Sequence, residues 1–100
     1  MKPFRQGDVI LIPGVSTPLE TSHKLEHLVL AEGEVTGHAH RISAGEAELY
    51  EKGGTLCLRV LSDTALITHE EHQPISLPKG DWTVRIQREY EPAGWRYVAD

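Results

Sequence analysis

The residues with the most chemistry to offer are the histidines, six in 100 residues: His23, His27, His38, His40, His69 and His72. Four fall in two tight pairs, His38-Ala39-His40 and His69-Glu70-Glu71-His72. Residues two apart on a strand point to the same face, so His38 and His40 would present two imidazoles to one metal ion. His69 is expected to end a strand, on the face shared with Ala65 and Ile67, with His72 in the bend just beyond. If the two segments meet, all four rings converge on a divalent ion (Zn, Fe, Mn or Ni), with Glu34, Glu46, Glu70 and Glu71 as neighbouring oxygen donors. Three protein ligands and an open position would make the site catalytic. The ion would then polarise a substrate oxygen or activate a water, and Glu70 or Glu71 would carry the proton. Four ligands would make it structural. The competing reading leaves these histidines on half-exposed strand faces and in turns, bonded to backbone carbonyls. For the isolated His23 and His27 the structural reading is the expectation.

The elements that must position these groups read as short strands. Asp8–Ile12 is a buried run stopped by Pro13-Gly14, and 15–22 reads as a loop. Lys24–Ala31 alternates, with Leu25, His27, Val29 and Ala31 on one face. Glu34–Ile42 and Glu46–Glu51 follow, and Gly53-Gly54 is a strong hairpin signal. Gly33 and Gly37 would allow a bulge beside the His pair. Thr55–Leu61 and Thr64–His69 read as two strands joined at Ser62-Asp63. Ile75–Leu77 ends at Pro78-Lys79-Gly80, and Asp81–Tyr90 is the longest strand, with Trp95–Val98 last. No window carries an apolar 3.6-residue stripe between helix caps. The expectation is one all-β domain over residues 1–100, a small antiparallel barrel or sandwich of eight or nine short strands.

Composition narrows the function classes. Ten Lys+Arg against fifteen Asp+Glu, interspersed, give a net charge of −5 and no basic stripe. Nucleic acid and anionic membrane surfaces are therefore not expected partners. No apolar run approaches the ~20 residues of a membrane helix, and Met1–Asp8 has no apolar signal core. With one cysteine, Cys57, no disulfide can form within the chain, and a cytoplasmic location is expected. Cys57 itself reads as a small buried residue. Ser43, Ser62 and Ser76 lack a nucleophile elbow, and Gly53-Gly54-Thr55 lacks a Walker lysine. Arg85, Gln87 and Glu89 read as a solvated sheet face, while Trp82, Tyr90, Trp95 and Tyr97 belong either to the core or to a contact between copies.

Gly33, His38, His40, Glu46 and Gly53 resemble a loosened first cupin motif: a glycine, HxH, a glutamate, then a glycine. The glycine-to-His gap is one residue short and the His40-to-Glu46 gap one residue long. Pro78-Lys79-Gly80 is similar to the turn of the second motif, with Thr83 where that family places a further histidine. The resemblance implies a small, often dimeric β-barrel holding a divalent metal. His38, His40 and Glu46 would be ligands, and His69 or His72 would have to stand in for the fourth. The strings GEVTGHAHRI, THEEHQPI and QREYEP also look like a family of small uncharacterised bacterial and phage proteins. The leading expectation is thus a cupin-like, homo-oligomeric protein with a His-rich divalent-metal site and a small molecule as its candidate ligand, with substrate and reaction left open. The alternative is a non-enzymatic, homo-oligomeric structural or accessory protein without metal.

Overall fold

The computed structural model describes residues 2–15, 19–32, 37–91 and 94–97, with the side chains of 20, 88–91 and 94–97 excepted. Gly33 and Glu34 lie outside the described residues, as do the side chains of Glu89, Tyr90, Trp95 and Tyr97. The fold is all-β: the described residues form ten strands and no α-helix. The strands are β1 (Phe4–Gln6), β2 (Val9–Pro13), β3 (His23–Lys24), β4 (Val29–Glu32), β5 (Ala39–Ala44), β6 (Ala47–Lys52), β7 (Thr55–His69), β8 (His72–Ile86), β9 (Arg88–Glu91) and β10 (Gly94–Tyr97). A short 3-10 turn, Leu19–Thr21, interrupts the segment expected as loop.

One antiparallel sheet runs β1-β2-β8-β7-β5-β4, with β6 also beside β7 and β3 beside β6; β9 and β10 pair separately. Its spine is a hairpin of two 15-residue strands, β7 and β8. Each of these was expected as two pieces, and each is continuous for the same reason. In β7 the ladder shifts between Val60 and Thr64, and the buried residues change from Leu58 and Val60 to Ala65, Ile67 and His69. In β8 they change from Leu77 to Trp82 and Val84 at the same level. Between those pairs Leu61-Ser62-Asp63 stand opposite Lys79 alone, two extra residues that bend the ladder where both strands change the face they bury, so Ser62-Asp63 and Pro78-Lys79-Gly80 mark a bulged bend and not chain reversals. Pro78 is tolerated because β2 pairs with β8 only from Trp82 onward, leaving the Pro78 stretch bonded on one side alone.

Around this bend the sheet curls into a half-barrel. β6 lies along the first half of β7 and β5 along the second, joined at a corner through Gly45 and Glu46. Ser62 ties that corner down: its hydroxyl accepts the Glu46 N–H at 2.8 Å and donates to Thr64 O at 2.7 Å. The Gly53-Gly54 turn is as expected, with positive φ of 58° and 83° at its two residues. The expected strand Lys24–Ala31 is instead broken into β3 and β4, and β1 was not anticipated. Val9, Leu11, Leu49, Leu58, Ile67, Leu77 and Trp82 are fully buried in the core, and Phe4 packs edge-on against Trp82 at 5.5 Å.

Candidate metal centre

Two turns and one strand entrance bring the polar residues together at one end of the sheet. The β7–β8 connection is Glu70-Glu71, with His69 and His72 paired across it. Among the described residues no non-glycine has positive φ, so this is not a primed hairpin turn; a register shift between Ile67 and His69 takes up the twist instead. β5 pairs beside β7 through Arg41–Thr68, which sets the preceding His40 next to His69. The ring centroids lie 4.3 Å apart for His40–His69, 4.7 Å for His69–His72, 5.9 Å for His40–His72 and 5.7 Å for His38–His69. The HxH and HxxH pairs therefore form one cluster, in which His69 touches the other three rings.

The third contribution comes from a region that the sequence did not single out. Gly7, with φ of 59°, is the first of two residues linking β1 to β2, as a type II′ hairpin turn requires. Gln6 and Asp8 flank it, each only 2% exposed, and both reach His40, which is fully buried. Nδ1 of His40 lies 2.9 Å from Gln6 Oε1, and Nε2 lies 3.5 Å from Asp8 Oδ1. One turn thus engages both nitrogens of one imidazole.

The hydrogen bonds assign the ring protons. The Gln6 amide nitrogen donates to Ile67 O at 3.1 Å and to Gln73 O at 3.0 Å, so its oxygen is the atom facing His40. His40 must then carry its proton on Nδ1, which leaves Nε2 basic in the neutral ring. His38 matches it, with Nδ1 3.2 Å from Glu71 Oε2. His69 is the reverse: its Nδ1 accepts the Glu71 N–H at 3.0 Å, which puts the proton of the neutral ring on Nε2. The Nε2 atoms of His40, His69 and His72 and Oδ1 of Asp8 are all buried from solvent. His38, His69 and Glu70 also bring one ligand-type atom each to within 4.8 Å of one another.

The two acids expected as proton carriers are engaged in building the site. Glu70 accepts the Ala39 N–H at 3.0 Å and lies 3.5 Å from Arg41 Nη1, anchoring the entrance to β5. That backbone bond and then its own N–H, with lesser help from Arg41 and His38, hold its carboxyl below the ordinary glutamate value, against the opposing effect of burial. Glu71 orients His38, as above. Glu46 is not brought to the cluster: it is exposed at the β5–β6 corner, roughly 20 Å of extended chain from His40 at ~3.3 Å per residue. Thr83 lies away from it too, donating to Gly14 O at 2.7 Å. His23 is exposed on β3, opposite Glu51, and His27 accepts the Val29 N–H at 3.1 Å, a turn role.

Elsewhere, Cys57 is buried, and burial, then Asp81, raises its thiol pKa. Arg85 and Gln87 are exposed, and the charge pair on this part of the sheet is Arg59–Asp81 at 2.9 Å. A groove of about 820 Å³ lies at the other end of the β7–β8 hairpin, between Pro13, Gly54, Thr55 and Thr83; its one titratable residue is Arg85. Among the described residues no helix is long and apolar enough to cross a membrane.

Of the missed residues, Gln6 left a signal. Phe4 and Gln6 alternate with Arg5, so a strand that buries Phe4 buries the Gln6 amide as well. Asp8, next to a turn glycine, left none. No curated protein and no solved structure matches the chain. A family does match, over residues 5–87, a span that takes in Gln6, Asp8 and all four clustered histidines. The chain belongs to that family, described as a domain of unknown function, DUF8820.

Proposed function

We propose that this protein binds a divalent transition-metal ion at the buried end of the sheet, with His38 and His40 as nitrogen ligands and Asp8 as the oxygen ligand. The observation that carries the reading is the pairing of both HxH rings, through Nδ1, with oxygen acceptors: Gln6 for His40 and Glu71 for His38. Metal-binding histidines characteristically donate their other N–H to a carboxylate or a carbonyl, which fixes the tautomer and raises the basicity of the ligating nitrogen. Asp8 at 3.5 Å from His40 Nε2 supplies negative charge where the ion would sit. His72 is a further imidazole beside His40. His69, with its proton on Nε2, fits a hydrogen-bond donor better than a ligand. Of the cupin resemblance this reading keeps the HxH pair and moves the carboxylate from Glu46 to Asp8.

Two imidazoles and a carboxylate suit Zn, Fe, Mn or Ni over Ca or Mg. Such a set leaves coordination positions for a water or a small-molecule oxygen, which the ion would polarise. A ligand that binds only the folded chain raises its stability, by about 2.7 kcal/mol at a hundred times its dissociation constant. Zinc added to chelator-treated protein should raise the melting temperature, and should not do so for His40→Ala. An equal response in both proteins would contradict the proposed site.

A further inference from the structure

Gln6 is 2% exposed and spends its whole side chain on three bonds. Its two donors go to carbonyls on either side of the His69–His72 turn, Ile67 O on β7 and Gln73 O on β8, 61 and 67 residues away in the chain. Flipping the amide would set Oε1 against two carbonyl oxygens and an N–H against His40 Nδ1. That orientation is therefore fixed from outside the site. It is also held from below, because Arg5 Nε donates to Gly7 O at 2.8 Å and the Asp8 carbonyl accepts the Gln87 N–H at 2.8 Å.

We propose that Gln6 is a positioning residue of the metal centre, locking His40 in its Nδ1–H form so that Nε2 stays the basic nitrogen beside Asp8. The inference rests on the metal reading above and adds to it the group that prepares the site before the ion arrives. A neutral imidazole without such an acceptor can carry its proton on either nitrogen. With the proton on Nε2, His40 would donate to Asp8 and close the site with a hydrogen bond. With the proton on Nδ1, the same two atoms are a nitrogen and an oxygen donor facing one another, which is a ligand pair. Gln6 also ties the β7–β8 turn to the β1–β2 turn, so the tautomer and the approach of His69 and His72 are set by one side chain.

The test uses the intact protein, Gln6→Met, which keeps the length of the side chain without an acceptor, and Gln6→Glu, which keeps an acceptor. Long-range proton–nitrogen NMR at about pH 8, where imidazole is neutral, reads the His40 tautomer in metal-free protein. Competition against a chromophoric chelator reads Zn2+ affinity. The expected result is an Nδ1–H ring in the wild type. Gln6→Met should mix the tautomers and bind Zn2+ about 10- to 100-fold more weakly, the usual effect of losing an outer-shell partner. Gln6→Glu should bind more tightly than Gln6→Met. An Nε2–H ring in the wild type overturns the proposal, and this holds even where Gln6→Met fails to fold. Equal Zn2+ affinity in the wild type and Gln6→Met overturns it while leaving the metal reading standing. A wild type that binds no Zn2+ overturns both.

Discussion

Nε2 of His40 lies 3.5 Å from Oδ1 of Asp8, with both side chains sealed from solvent. With Nδ1 turned to Gln6, a neutral His40 ring presents its Nε2 lone pair to the Asp8 carboxyl. A cation placed there would be held by both. Asp8→Asn keeps the shape and removes the charge. It should weaken Zn2+ binding by more than the ~10- to 100-fold typical of an outer-shell residue. Calorimetric titration of both proteins checks this, and an affinity loss under tenfold would place the ion away from Asp8.

Glu70 gives a pH dependence whose sign follows from its hydrogen bonds. The Ala39 N–H and its own N–H favour the carboxylate, so its folded pKa lies below the ordinary 4.5. A lowered carboxyl stabilises the fold above the unfolded value, and that contribution disappears as pH falls through the folded value. Glu70→Ala should therefore melt below the wild type at pH 7, with the gap closing in acid below about 4.5. Melts in chelator isolate this effect from metal binding. A gap that persists unchanged at low pH would assign the loss to packing.

The β5–β6 corner should be intolerant of any side chain. Gly45 has φ of 88°, and a Cβ there would lie 2.5 Å from Thr64 O and 2.9 Å from Ala65 Cα. Gly53 also has positive φ, but a Cβ there meets nothing within 4 Å. Gly53→Ala should cost only the left-handed penalty of about 1–2 kcal/mol, and Gly45→Ala distinctly more, because the backbone must also move. Urea unfolding of the two variants gives the comparison; equal losses would mean that the corner relaxes.

Trp82 is the largest fully buried side chain, packed under Phe4, with Nε1–H donating to Pro78 O at 3.1 Å. That bond spans the bend in β8, so Trp82 both fills the core and closes the bulge. Trp82→Ala should cost about 3–5 kcal/mol. Trp82→Phe should cost less, chiefly the loss of the bond to Pro78, on the order of 1–2 kcal/mol. Chemical denaturation measures both, and a Trp82→Phe variant as unstable as Trp82→Ala would contradict the packing argument.

The fold class was legible because strand alternation and turn residues are local. The period of two through Trp82, Val84 and Ile86 and the Gly53-Gly54 turn are both present as expected. The two long strands were not legible as such, since Ser62-Asp63 and Pro78-Lys79-Gly80 carry the same residue types whether the chain reverses or merely bulges. What separates the two cases is the flip in burial parity, from Val60 to Ala65 and from Leu77 to Trp82, and the partner strand decides it. The histidine cluster was half legible. Spacing alone put His38 with His40 and His69 with His72, but their meeting depends on β5 lying beside β7. Asp8 and Gln6 enter from about thirty residues upstream of His40, through tertiary packing that no local pattern encodes. Glu46 is the converse case: its spacing resembled a motif, while it lies in the connection between β5 and β6, at the end of β5 away from His40.

The central claim is a metal ion held by the His38–His40 pair, and elemental analysis by plasma mass spectrometry on tag-free protein tests it most directly. The account predicts about one equivalent of Zn, Fe, Mn or Ni per chain, removable by chelator, restored by the ion and lost in the His38→Ala/His40→Ala double mutant. Metal far below stoichiometry, unchanged by the double mutation and not restored by added ions, would contradict it.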